Sequence, residues 1–195
     1  MKHIFIYLVL IFSFSVNSES YKDLTIQELK KAAQSDDEVA MGYLAESYEN
    51  GIAVDKDIDK ALKWYIRSAE LNYAPAQYNL AVLLQSDDGI KVDLPQAFFW
   101  AEQSAEQNYA SAQFLLGSFY ALGKGVIENQ YKARKWYEKS ADQGNAMAQF
   151  NLAIMLLKGE EVKQDKEEGM ELLKKAAKSG HDQARKVLDL IIDQQ

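Results

Sequence analysis

The sequence predicts an all-α fold, a right-handed α-solenoid in which antiparallel helix pairs repeat every 36 residues. Alanine recurs at that interval along most of the chain, at Ala40, Ala76, Ala112, Ala148 and Ala184. Tryptophan follows the same interval, at Trp64, Trp100 and Trp136. Within each interval the apolar residues fall three and four apart in two separate runs, which is typical of two amphipathic helices. A fixed period of this length indicates stacked repeats, because one helix pair cannot bury its apolar faces alone.

The unit at 112–147 gives the clearest order of elements. After its first apolar run, Gly123 and Gly125 predict a turn, since glycine readily adopts positive φ angles. Asn129 then begins the second helix as an N-cap, and Gly144 ends it in the left-handed conformation. The equivalent N-caps are Asp57, Asp93 and Asp165, and the equivalent helix ends are Asn72, Asn108 and Gly180.

The first 20 residues have the features of a secretory signal peptide. Lys2 makes the start basic, and the run from Ile4 to Val16 is uncharged and mostly apolar. That run is shorter than the roughly 20 residues that span a bilayer. The small residues Ser18 and Ser20 suit signal-peptidase cleavage after either one. We therefore expect residues 1–20 to be a cleaved signal peptide, with an uncleaved N-terminal anchor as the alternative, and the protein to be exported, either to a periplasm or out of the cell.

The repeat interval divides the remainder of the chain. Residues 21–39 match the second half of a unit and predict an N-terminal capping helix. Four full repeats follow, at 40–75, 76–111, 112–147 and 148–183. Residues 184–195 predict a C-terminal capping helix, because Asp189 stands where the other units have alanine or glycine and the last helix of an array presents a polar face.

Small and aromatic residues of the unit at 112–147 carry a resemblance to a known family. They are Gly117, Tyr120, Gly123, Gly125, Val126, Ala133, Trp136, Tyr137, Ala141 and Gly144. This pattern resembles the Sel-one-like repeat, which is related to the tetratricopeptide repeat, and the resemblance covers roughly residues 38–190. It implies that the first helix of each unit lines a concave face and that the protein is an adaptor for other proteins. Cysteine-rich exported members of this family have been linked to β-lactam hydrolysis or binding.

Composition and motifs argue against catalysis and against several classes of partner. The chain has no cysteine, and His181 is the one histidine beyond the leader, so neither zinc nor any other metal or cofactor is expected. We interpret His181 as a solvated loop residue. The common hydrolase, phosphate-binding and dinucleotide-binding motifs are absent from the sequence. The net charge of −7 disfavours nucleic acid and anionic membranes, which bind basic surfaces.

Candidate partner-binding residues were sought where the sequence varies within the repeat or could offer polar groups. One varying position of the first helices is occupied by Tyr43, Asn79, Leu115 and Asn151. Recurring amides stand nearby, at Gln77, Gln113 and Gln149. These glutamines could either hydrogen-bond an extended peptide or bridge neighbouring repeats. Phe99 stands where other units carry charged residues, so it is either an exposed anchor for a partner or packed on a local irregularity. Trp136 is predicted to lie on the buried face of its helix.

Two functions remain in view. The first is a non-catalytic scaffold in the cell envelope or outside the cell that binds a protein or peptide and does not insert into a membrane once its signal is removed. The alternative is a β-lactamase-like or other hydrolase activity, which rests on the resemblance to cysteine-rich relatives alone.

Overall fold

The computed structural model describes residues 18–159 and 164–192, and within these residues the secondary structure is entirely helical. Most of the predicted signal peptide, residues 1–17, lies outside the described residues, as do residues 193–195 of the predicted C-terminal capping helix. A 3-10 helix at Ser18–Asp23 is followed by α1 (Ile26–Ala33), α2 (Glu38–Asn50), α3 (Ile58–Glu70), α4 (Ala74–Gln85), α5 (Leu94–Glu106), α6 (Ala110–Leu122), α7 (Gln130–Asp142), α8 (Ala146–Lys158), α9 (Lys166–Lys178) and α10 (Asp182–Ile192).

Helices that are consecutive in sequence pack against each other throughout the array. The first helices of the four repeats are α2, α4, α6 and α8, and the second helices are α3, α5, α7 and α9. The helix α1 packs on α2 at one end, and α10 packs on α9 at the other. The prediction of an α-solenoid of antiparallel helix pairs is confirmed.

The predicted helix boundaries have the expected cap geometry. The N-cap side chains of Asp57, Asp93, Asn129 and Asp165 each accept a hydrogen bond from the backbone N–H three residues later, at 2.9 to 3.1 Å. The second helices of the four repeats end at residues with positive φ, namely 67° at Asn72, 65° at Asn108, 87° at Gly144 and 89° at Gly180. These polar and glycine positions fix the length of every second helix.

Close approach between the helices of a pair requires small residues. A Cβ atom placed on Gly117 would lie 2.7 Å from Cδ1 of Tyr137, so the tyrosine ring fills the space that a side chain would need. The equivalent residues Ala45, Ala81 and Ala153 are completely buried. Tyr137 is 3% exposed, whereas the preceding Trp136 is only half-buried and carries Lys139 Nζ 3.9 Å from its ring centroid. The prediction for Trp136 is therefore wrong in part, because one residue turns the side chain by about 100° around the helix.

The interpretation of His181 as a solvated loop residue is also wrong in part, because the residue lies in the loop before α10 but is half-buried and makes specific contacts. Its Nδ1 accepts a hydrogen bond of 3.2 Å from the backbone N–H of Ala184, so it caps the start of α10. Its ring stacks on Phe150, with 4.5 Å between the ring centroids. His181 therefore joins the last helix to the fourth repeat.

Candidate functional site

A cavity of about 650 Å³ lies at the N-terminal end of the array, between α2, α4 and the leading 3-10 helix. We call it the N-terminal pocket and define it by Gly42, Tyr43, Glu46, Tyr73, Asn79 and Tyr109. Its size falls in the range of about 300–1,000 Å³ that is usual for ligand sites in proteins.

At one position of the pocket lining the first repeat lacks an aromatic ring that the later repeats have. Gly42 occupies the position that is Tyr78, Phe114 and Phe150 in the following units. The ring of Tyr73 lies against this glycine, so a Cβ atom placed on Gly42 would lie 2.9 Å from Tyr73 Cε1. In the next unit the equivalent Tyr109 instead meets a ring, that of Tyr78, edge-on at 5.6 Å.

The aromatic walls are held in place by contacts within the chain. Tyr21 stacks on Tyr43 with 6.1 Å between the ring centroids and 6° between the ring planes. The Tyr21 hydroxyl donates a hydrogen bond of 2.7 Å to Asp37, which also caps α2. Tyr73 and Tyr109 occupy the N-cap positions of α4 and α6, and their rings pack on Gly42 and on Tyr78, respectively. The rings therefore form a preorganised surface.

Carboxylates act on the tyrosines of the pocket both from the lining and from just beyond it. Burial raises the pKa of Tyr73 to about 12, and the negative charges of Glu38 and Glu46 add to this shift. Burial and the hydrogen bond to Asp37 likewise raise the pKa of Tyr21 to about 12. Glu46 itself is exposed at the pocket wall, and Lys22 is the one basic residue that lines the cavity among the described residues.

The structure brings two of the predicted site residues, Tyr43 and Asn79, into this pocket. Asn79 Nδ2 also lies 3.4 Å from the hydroxyl of Tyr65, with which it forms a weak hydrogen bond. Asn151 of the fourth repeat does not line the pocket, and its side chain acts on the pKa of the equivalent hydroxyl, that of Tyr137. Asn151 thus has a structural contact where a partner contact was predicted.

Leu115 occupies the same repeat position as these asparagines but is only 8% exposed, and the prediction that it binds a partner is corrected accordingly. It shares a core cluster with Ala101, which stands where the neighbouring units have Tyr65 and Tyr137. The varying position therefore carries asparagine where the residue facing it is a tyrosine, and leucine where that residue is alanine. Packing between repeats explains the variation that sequence alone attributed to a partner.

The recurring glutamines are buried, so the prediction that they bind a peptide is replaced by the bridging role. Gln77 and Gln113 are each 2% exposed and Gln149 is 6% exposed. Their Nε2 atoms donate to the backbone carbonyls of Ala69, Ala105 and Ala141 at 3.1 to 3.3 Å. The Oε1 atoms of Gln77 and Gln113 accept hydrogen bonds of 2.7 Å from Gln107 and Gln143, at the end of the second helix of the same repeat.

We call this series of glutamine–glutamine hydrogen bonds the glutamine ladder, and it ends before the fourth repeat. Ser179 occupies the position of Gln107 and Gln143, and the Oε1 atom of Gln149 is buried without a hydrogen-bond partner among the described residues. A buried acceptor without a donor costs free energy of folding. Gln149 therefore marks a local weakness near the C-terminal end of the array.

Phe99 is exposed, as one of its two interpretations required, with 44% of its surface accessible. Its ring meets Trp100 edge-on at 4.9 Å on the second-helix face of α5. It does not line the N-terminal pocket.

Sequence reasoning missed Gly42, Glu46, Tyr73 and Tyr109 as pocket residues. Aligning the repeats would have identified two of them, since Gly42 replaces an aromatic residue and Glu46 stands where the other units have Val82, Ser118 and Ile154. Tyr73 and Tyr109 precede their helices and fall outside the helical pattern. Among the described residues, no cluster of three or more acidic or histidine side chains is placed to hold a metal ion, and no helix is both long and apolar enough to cross a bilayer.

Comparison with known families and structures gives a consistent result. The family model of the Sel1 repeat matches this chain four times, at residues 39–73, 74–109, 110–145 and 146–181. A Sel1 repeat protein from Oxalobacter formigenes is 32% identical, with a TM-score of 0.79 over 89% of this chain and 69% of that one. No curated protein matches the chain.

Two further solved structures are similar. A protective antigen of uropathogenic Escherichia coli with an SLR fold is 30% identical, with a TM-score of 0.79 over 83% of this chain and 35% of the antigen. The present chain thus spans about a third of the length of that antigen. Cysteine rich protein B of Helicobacter pylori is 24% identical, with a TM-score of 0.51 over 65% of this chain and 96% of that one, and this likeness concerns the fold alone.

Proposed function

Because the chain belongs to the Sel1 repeat family of helical scaffolds that mediate protein interactions, we propose that it is an exported, non-catalytic scaffold that binds a segment of a partner protein in the N-terminal pocket. The observation that carries this proposal is the pocket itself. It is open to solvent, it has preorganised aromatic walls, and it arises from residues that depart from the repeat. Tyrosines supply a large contact area at a small cost in side-chain entropy, which suits them to binding protein segments.

The polar groups around the pocket support binding rather than catalysis. Ser47 is a hydroxyl in the lining, and its Oγ donates a hydrogen bond of 2.9 Å to the carbonyl of Tyr43 within the same helix. Among the described residues, the lining includes neither histidine nor a base paired with this serine, as an activated nucleophile would need. We therefore expect no turnover of a chromogenic β-lactam, and sustained hydrolysis by the pure protein would contradict the scaffold proposal.

Export is supported by the leader. The basic start, the apolar run and the small residues Ser18 and Ser20 are the features on which signal peptidase acts. N-terminal sequencing of the protein recovered outside the cytoplasm is expected to begin near Glu19 or Tyr21. Recovery of the chain with Met1 still in place would count against cleavage.

A peptide-display library panned on the full chain tests the binding proposal. The counter-target is Gly42→Tyr, which introduces the residue of position 78 against Tyr73 and so displaces that ring from the pocket wall. Tyr43→Ala gives a second pocket variant in case the first unfolds, and Phe99→Ala is the control on the other face. Enriched peptides should bind the wild type and Phe99→Ala equally and lose at least tenfold in affinity for the pocket variants. Equal binding to all four proteins, with helicity intact, would overturn the proposal.

A further inference from the structure

The first repeat differs from the others in presenting both aromatic faces and a carboxylate at one place. Tyr43, Tyr73 and Tyr109 line the pocket, and Glu46 lies among them. The negative charge of Glu46 reaches both Tyr73 and Tyr109. The face of an aromatic ring attracts a cation within about 6 Å, most strongly when water is displaced.

The balance of charge around the pocket favours a cation. Asp37, Glu38 and Glu46 act on the pocket tyrosines or on Tyr21 beside them. The opposing charge is that of Lys22, which is exposed on the 3-10 helix. The lining itself holds one carboxylate, that of Glu46, and one ammonium group, that of Lys22, so the excess of carboxylates comes from Asp37 and Glu38 just beyond it.

Elsewhere the chain pairs its own cations with aromatic rings. Lys60 Nζ lies 5.3 Å from the Tyr48 ring centroid, and Lys132 Nζ lies 4.9 Å from that of Tyr120. In the part of the chain that the structure describes, no lysine or arginine lies over the rings of Tyr73 or Tyr109. Both rings are half-buried in the pocket lining, and neither is already paired with a cation of the described residues.

We propose that the N-terminal pocket recognises a basic side chain, lysine or arginine, within the bound segment of the partner, through the rings of Tyr73 and Tyr109 and the carboxylate of Glu46. This inference rests on the proposed function and specifies the chemistry of its ligand. The aliphatic part of such a side chain would lie against the tyrosine rings, and its charged end would lie near Glu46.

Four blocked tripeptides test the inference, each with one central residue between two alanines: lysine, arginine, norleucine or glutamate. Each is titrated into the full, isotope-labelled chain and followed by the backbone NMR shifts of the pocket residues at low salt. The lysine and arginine peptides are expected to bind about five- to thirtyfold more tightly than the norleucine peptide, which has a similar apolar length without charge. The glutamate peptide is expected to bind most weakly, and added salt should reduce the preference.

Two substitutions locate the effect. Glu46→Gln should reduce the preference for lysine over norleucine by about threefold or more, whereas the control Glu171→Gln, on the exposed face of α9, should leave it unchanged. Equal binding of the lysine and norleucine peptides would overturn the charge preference while leaving pocket binding in place. Absence of any NMR shift change with all four peptides would overturn the inference. The peptide-display experiment tests the proposed function separately.

Discussion

Replacing Ser179 by glutamine is expected to stabilise the C-terminal end of the array. Gln107 and Gln143, the C-cap residues of α5 and α7, each donate a 2.7 Å hydrogen bond to the buried glutamine of their own repeat. Ser179 is the C-cap of α9 with nearly the same backbone angles, so a glutamine there can reach Gln149 Oε1. Restoring a partner to a buried acceptor is worth about 1–3 kcal/mol, and ordering the new side chain costs up to about 2 kcal/mol. We expect a net gain of about 1 kcal/mol.

Urea unfolding followed by circular dichroism measures this gain. Ser179→Met is the matched control, because methionine has a similar length but no N–H donor. Gln149→Met removes the orphaned acceptor, and in that background Ser179→Gln should gain nothing. Equal stability of Ser179→Gln and Ser179→Met, or a gain that persists without Gln149, would refute the ladder interpretation.

Three further predictions concern the fold. Tyr137→Ala should lower the free energy of unfolding by about 3–5 kcal/mol and Trp136→Ala by clearly less, because the tyrosine is buried and the tryptophan is only half-buried. Equal losses in urea unfolding would contradict this burial pattern. Gly117→Ala should cost about 1–3 kcal/mol, since the new methyl group would lie 2.7 Å from Tyr137 Cδ1; an unchanged unfolding midpoint would show that the ring moves freely. The free energy of unfolding should fall between about pH 10 and about pH 12, because the raised pKa of Tyr73 keeps its hydroxyl neutral in the folded chain while the same hydroxyl ionises in the unfolded chain. Tyr73→Phe should remove part of that loss, and identical pH profiles of the wild type and Tyr73→Phe would contradict the shift.

The fold could be predicted because the information that specifies it is local and repeated. Asp57 and Asn129 identify helix starts by side-chain chemistry alone, and Asn72 and Gly144 identify helix ends by the conformations they tolerate. The 36-residue interval then shows that the same pattern of helix starts and ends occurs four times. Agreement among independent copies removes the ambiguity that a single helix pair would leave.

The candidate site could be predicted only in part, because it depends on pairs of residues far apart in sequence. Gln113 looked available until Gln143, 30 residues later, proved to be its hydrogen-bond partner. Leu115 and Asn151 share a repeat position but face different residues of the preceding second helix. The position of Tyr73 in the pocket wall depends on the missing side chain of Gly42, which helical periodicity does not predict.

The most direct test of the central claim is a map of the bound peptide on the protein surface. The tightest peptide from display is added to the isotope-labelled chain, and backbone shift changes are assigned to residues. The account predicts that the largest changes fall on Gly42, Tyr43, Glu46 and Tyr73 and on the start of α6 at Tyr109. Shift changes centred on Phe99 and on the second helices, without shift changes at the pocket residues, would contradict the claim.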